Sequence, residues 1–189
     1  MVFAGSTRTG SFNRKLATLA AGELRSAGMD VTLADLSEYP MPLYDGDSEA
    51  ALGVPDNARR FKELVREHDA LAVASPEYNG SFSALVKNTI DWISRPAEGE
   101  PPLAVFRGKA AALLSASPGK GAGKRGLRHV RELLEMIGMK VIAAQVNVGR
   151  ATEAFDEGGN LARPEDRAAL RQLVDELKAQ TGMATKEHE

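Results

Sequence analysis

The chain alternates short apolar runs with amphipathic helical patterns along almost its whole length, and that alternation leaves few folds open to it. Val2-Phe3-Ala4 reads as the end of a first strand, stopped by Gly5. Asn13 to Ala27 follows as a helix with Leu16, Leu19, Ala20 and Leu24 on one face, ended by Gly28. Val31 to Ala34 is a second strand, and Leu36 to Pro55, rich in Pro, Gly and Asp, reads as a long loop. A helical face carrying Phe61, Leu64, Val65 and His68 leads into Ala70 to Ala74, a strand apolar throughout and so expected to be buried on both faces. Ser83 to Ser94 is helical, and Lys109 to Ala116 is the fourth strand. The stripe Leu127, Val130, Leu134 and Ile137 marks a helix before a fifth strand, Val141 to Val148. After a loop from Gly149 to Arg163, Pro164 opens a last helix with Leu170, Leu173, Val174 and Leu177 on one face. Strands separated by helices pair in parallel, with helices on both faces of the sheet. The expectation is one α/β domain over residues 1–182, with a five-stranded parallel sheet of order 2-1-3-4-5, and a disordered polar tail over 183–189.

Composition removes several function classes. Net charge is -2, so no broad electrostatic case exists for nucleic acid or an acidic membrane surface. No apolar run approaches the roughly 20 residues of a transmembrane helix. The first residues show no basic region followed by an apolar stretch, which makes the cytoplasm the default expectation. There is no cysteine, which excludes disulfides, thiolate catalysis and iron–sulfur clusters. The histidines, His68, His129 and His188, have no metal-ligand spacing, so no metal site is expected.

Three strand-to-helix loops carry the chemistry. Gly5 to Asn13 has hydroxyls at Ser6, Thr7, Thr9 and Ser11, and a guanidinium at Arg8, before a helix N-terminus that favours an anion. It lacks the lysine of a P-loop and the spacing of G-x-G-x-x-G, which leaves a monophosphate-sized site. A helix N-cap with a solvated arginine accounts for the same residues. Ser75 to Ser81 follows the third strand; in a 2-1-3-4-5 sheet it would face the first loop across the crevice where strand order reverses. Tyr78 could lie beside a planar ligand, and Asn79-Gly80 alternatively reads as a plain turn. Ser115 to Gly123 follows the fourth strand, with three glycines and with Lys120, Lys124, Arg125 and Arg128 in or near it. Those cations suit a nicotinamide cofactor's phosphates or form a solvated surface.

In order at strand ends, these segments resemble the NAD(P)H-dependent FMN reductase family, the flavodoxin-like group of quinone, azo-dye and chromate reductases. G-S-x-R-x-x-S-x-N is met by Gly5, Ser6, Arg8, Ser11 and Asn13; P-E-Y-N-x-S by Pro76, Glu77, Tyr78, Asn79 and Ser81. L-K-N-x-I-D-W appears over Leu85 to Trp92 with one extra residue, and S-x-S-P-G is met by Ser115, Ser117, Pro118 and Gly119. The resemblance implies a flavodoxin-like three-layer sandwich. It implies FMN with its phosphate held by Ser6, Arg8, Ser11 and Asn13, with Phe12 among the binding residues. Pro76, Glu77, Tyr78 and Asn79 would line the isoalloxazine ring, and Ser117 and Gly119 would sit near it. NADPH or NADH would be the donor, and a quinone, azo compound, flavin or metal oxyanion the acceptor. The chemistry would lie at FMN N5 with no obligatory catalytic side chain, Tyr78 shaping the substrate face. Homodimers or homotetramers are common in the family. A flavodoxin-type single-electron carrier is the alternative, and a flavin-free interaction module a third reading. One departure from the family stands out: Ser83 occupies a place where proline is frequent.

Overall fold

The computed structural model describes residues 1–97 and 99–184. Strands β1 (Val2–Ala4), β2 (Leu33–Ala34), β3 (Ala70–Ala74), β6 (Ala110–Ala116) and β7 (Lys140–Val148) form one sheet of order β2-β1-β3-β6-β7, every pair parallel. This is the expected 2-1-3-4-5 arrangement. A separate antiparallel hairpin, β4 (Glu77–Tyr78) and β5 (Ser81–Phe82), stands outside it.

Side-chain alternation along the central strands sorts the core into two. Val2, Ala4, Ala70, Ala72, Ala74, Ala112 and Leu114 pack with α1 (Phe12–Ser26) and α6 (Pro164–Ala184). Phe3, Leu71, Val73, Ala111 and Leu113 face α3 (Asp56–Arg66), α4 (Ala84–Ile93) and α5 (Lys124–Met136). The apolar run at 70–74 is buried at every position because helices cover both faces. Its alanines all fall on the α1 side, where small residues let that helix lie close to the sheet.

Three expectations are corrected. The second strand is Leu33–Ala34 and not Val31 to Ala34, because Arg25 takes the Val31 carbonyl with two N–H groups, Nε at 3.2 Å and Nη2 at 2.8 Å. The segment read as a loop from Leu36 to Pro55 holds a 3-10 turn, Leu36–Glu38, and a helix, α2 (Gly46–Leu52). Asp45 caps α2 by accepting from Ser48 N at 2.7 Å, and Gly53 ends it with φ 75°. Helix α2 buries none of its residues, so it leaves no apolar stripe for periodicity to reveal. Helix α6 runs to Ala184, two residues into the segment read as a tail; residues 185–189 lie outside the described residues. No helix among the described residues is long and apolar enough to cross a membrane.

Candidate functional site

Loop 5–11 leaves the carboxyl end of β1 and enters α1. Gly5 is required by packing: a Cβ there would sit 2.2 Å from Val86 Cγ2 and 3.0 Å from Ser83 Oγ. Ser83 donates to the Gly5 carbonyl at 2.7 Å and accepts from Val86 N at 3.3 Å, so it caps α4 and pins the loop at once.

Gly10 turns the chain with φ 70°, and Ser11 caps α1 by accepting from Arg14 N at 3.4 Å. Arg14 reaches back to the Thr7 carbonyl at 3.4 Å and pairs with Asp35. Burial pushes the Asp35 carboxyl up, but hydrogen bonds from the Ser37 N–H and hydroxyl and the charge of Arg14 hold it below the ordinary range. The first turn of α1 has no acidic residue, and its leading N–H groups, on Phe12 and Asn13, have no acceptor among the described residues. Arg8 is exposed and forms no ion pair among the described residues.

The second loop is the β4–β5 hairpin. Asn79 (φ 51°) and Gly80 (φ 78°) are both left-handed, as a type I′ turn demands, and they join Tyr78 to its register partner Ser81. The turn reading of Asn-Gly is therefore correct, and the turn presents Tyr78, 54% exposed, beside the first loop. The third loop starts at Ser117, whose N–H donates to Val148 O at 2.9 Å and whose carbonyl accepts from Ala151 N at 3.0 Å.

Loops from β1, β3 and β6 converge on one cavity of about 290 Å³ at the β1/β3 switch point. Ser6, Arg8, Ser11, Phe12, Asn13, Pro76, Glu77, Tyr78 and Ser117 line it, so nine of the eleven residues expected to bind FMN meet there. Asn79 and Gly119 do not reach its wall, while Ala116 and Pro118 do. Asn13 has a task the sequence did not show. Its side chain donates to Ala116 O and accepts from Ala116 N, both at 2.9 Å, bracing the end of β6 against α1. Phe155, in the loop after β7, stacks on Phe12 with ring centroids 6.3 Å apart and planes 7° from parallel. A lone aromatic in the Gly-rich stretch 149–163 was the available hint of this contact. A wider depression of about 850 Å³ runs along α1 to residues 156–160, but it includes none of the hairpin and lies off the strand ends. Among the described residues no group of His, Cys, Asp and Glu could hold a metal ion.

The model of the NADPH-dependent FMN reductase family matches residues 1–153, a span that contains all three loops. The chain belongs to this family. An NAD(P)H-dependent FMN reductase of Pseudomonas aeruginosa is 39% identical over 175 residues, covering 92% of this chain and 90% of that protein. An NAD(P)H:quinone oxidoreductase of Solanum tuberosum is 33% identical over 180 residues, covering 93% and 88%. The solved structure of FerB, a flavoenzyme NAD(P)H:(acceptor) oxidoreductase from Paracoccus denitrificans, shares the fold with a TM-score of 0.81 over 96% of each chain at 24% identity.

The cavity fits the phosphate end of the FMN that the FMN reductase family implies. The N–H groups opening α1 and the cation of Arg8, without partners among the described residues, are the donor set an anion needs. The L-K-N-x-I-D-W segment serves the FMN reductase fold and not the cavity. Asn88 accepts from Tyr44 N at 2.8 Å and donates to Pro42 O at 2.9 Å; Trp92 also donates to Pro42 O, at 2.8 Å. Tyr44 meets the Trp92 ring edge-on at 5.0 Å, and Arg95 pairs with Glu49 at 2.7 Å, so α4 and the residues just after it hold Pro42, Tyr44 and Glu49.

Proposed function

We propose that residues 1–182 act as one FMN-binding domain that oxidises NADPH or NADH and reduces a small acceptor. The observation that carries this is the switch-point cavity, where the N-terminus of α1 and Arg8 meet the hairpin Glu77–Phe82. FMN, when bound, supplies the chemistry of accepting hydride and returning electrons. Arg8, Ser6, Ser11 and the leading amides of α1 hold its phosphate in this reading, and Asn13 keeps the helix and β6 in register beside them. Pro76, Glu77, Tyr78 and Asn79 form the ring side through their backbone, with Ser117 and Gly119 at the β6 end. Tyr78 stands at the mouth, where it shapes the face offered to donor and acceptor in turn.

A volume of about 290 Å³ is at the small end for a small-molecule cleft, so a flavin would stay accessible along one side. A second copy of the chain closing part of that side suits a homodimer or homotetramer. Quinones, azo compounds, free flavins and metal oxyanions are the acceptor classes that an open face admits. The cellular pool of reduced nicotinamide that this reaction draws on makes the cytoplasm its setting.

The test is an anaerobic titration of FMN-loaded protein with NADPH and then NADH, following the flavin absorbance. Full bleaching by either nucleotide with little semiquinone supports the two-electron reductase, and an acceptor screen follows. FMN binding without reduction by either nucleotide would replace it with the single-electron carrier. Failure to take up FMN would leave the flavin-free module.

A further inference from the structure

The β4–β5 hairpin is a two-stranded piece outside the main sheet, and a hairpin of this size has little stability of its own. Helix α5 supports it. One carboxylate oxygen of Glu77, Oε2, accepts from the N–H groups of Arg125 and Gly126, each at 3.1 Å. Both amides open the first turn of a helix whose N-cap, Gly123, is left-handed with φ 70° and has no side chain to offer. A Cβ at Gly123 would lie 1.9 Å from Ser115 Oγ, inside the buried end of β6. Ser, Thr, Asp and Asn are thereby shut out of that position, and α5 takes its cap from elsewhere.

Two further contacts bind the same elements. A Cβ on Gly126 would lie 3.2 Å from both Glu77 Cβ and Ser81 O, so glycine is what lets α5 lie against the hairpin backbone. His129 Nδ1 meets Ser81 Oγ at 3.1 Å, while Arg128 Nη2 lies 3.3 Å from His129 Nε2.

We propose that Glu77 is a positioning residue: its carboxylate serves α5 rather than the ligand, and by capping that helix it fixes the backbone of the hairpin that lines the flavin site. This rests on the FMN-binding reading above. The second and third site loops are then one mechanical unit, with α5 as its back wall. A site preformed in this way spares the binding of FMN the cost of ordering the hairpin.

Glu77→Gln and Glu77→Ala, compared with the parent protein, test it by three measurements: amide exchange at Arg125 and Gly126 without flavin, FMN dissociation constant, and flavin midpoint potential. In Glu77→Ala both amides exchange faster and FMN binds about tenfold more weakly, the equivalent of one hydrogen bond to a charged group. Glu77→Gln keeps an oxygen for both amides but loses the charge, so amide protection and FMN affinity fall between those of the parent and of Glu77→Ala, while the flavin midpoint potential keeps to the parent value. A Glu77→Gln potential shifted from the parent, with Arg125 and Gly126 still protected, would put the carboxylate on the flavin and overturn the proposal. Exposed amides with unchanged FMN affinity in Glu77→Ala would also overturn it, leaving a cap with no bearing on the site. Should Glu77→Ala not fold, Gly126→Ala replaces it: the added Cβ pushes the hairpin backbone by a few tenths of an ångström and must weaken FMN binding, and unchanged affinity counts against the proposal. A parent protein that takes up no FMN refutes the functional reading, while amide exchange still reports whether Glu77 caps α5.

Discussion

Replacing Asn13 by alanine separates two tasks for one residue, holding a phosphate and bracing the sheet. The side chain is 3% exposed and makes two hydrogen bonds of 2.9 Å to the backbone of Ala116, itself 3% exposed. Alanine leaves one N–H and one C=O without partners at the end of β6. Each buried unpaired group costs about 1–3 kcal/mol, and water entering from the adjacent cavity recovers part of that. The net loss works out at about 2–4 kcal/mol, a large share of the stability of a domain. For a chain of this size that corresponds to a fall in Tm of roughly 5–15 °C. Urea and thermal unfolding of the flavin-free protein measure it, and Asn13→Asp, which keeps an acceptor for the amide but sets an oxygen against Ala116 O, should also destabilise. The reasoning fails if the flavin-free Asn13→Ala protein loses less than about 1 kcal/mol while its FMN affinity collapses. That pattern would return Asn13 to the phosphate.

Arg8→Ala should leave Tm unchanged, since Arg8 is exposed and unpaired among the described residues, yet weaken FMN binding by about 10–100-fold through loss of a charged donor; equal affinity by fluorescence quenching would remove Arg8 from the phosphate site. Burial pushes the Glu100 carboxyl up, but hydrogen bonds from Lys62, Ala97 N–H and Arg66 outweigh it and bring it down to about 2. A depressed carboxylate stabilises above its unfolded pKa of roughly 4.3 and loses that contribution as pH falls toward about 2. Urea midpoints of Glu100→Gln should therefore lie below the parent at neutral pH and converge with it across that window; parallel profiles would contradict the assignment. Asn88→Ala removes two of the hydrogen bonds that hold the 42–44 segment, so limited proteolysis should cut between residues 40 and 55 faster than in the parent, and identical cleavage rates would show that the remaining contacts, Trp92 among them, suffice.

The order of the five sheet strands and of the helices that pack on them, and the three loops between them, can be read from the sequence, because each is written in residues close together in the chain. Apolar stretches such as Ala70–Ala74 have the length and composition of a strand covered on both faces, and the pair Asn79-Gly80 is local turn chemistry. Even the family is legible in Gly5 to Asn13 and Pro76 to Ser81, since strand-end loops keep their ligand-facing residues contiguous. Helix α2 was not legible: it buries nothing, and so it imprints no period. The partners of Asn13 and Glu77 were not legible either. Each occupies a motif position that reads as a ligand contact, yet Asn13 gives both its polar atoms to backbone 103 residues away, and Glu77 gives one carboxylate oxygen to backbone 48–49 residues away. A polar side chain near a site hydrogen-bonds whichever unpaired backbone group the fold brings within 3 Å or so. Only the tertiary structure decides which group that is, because the sheet order that sets β6 beside α1, and α5 beside the hairpin, joins segments the chain keeps apart.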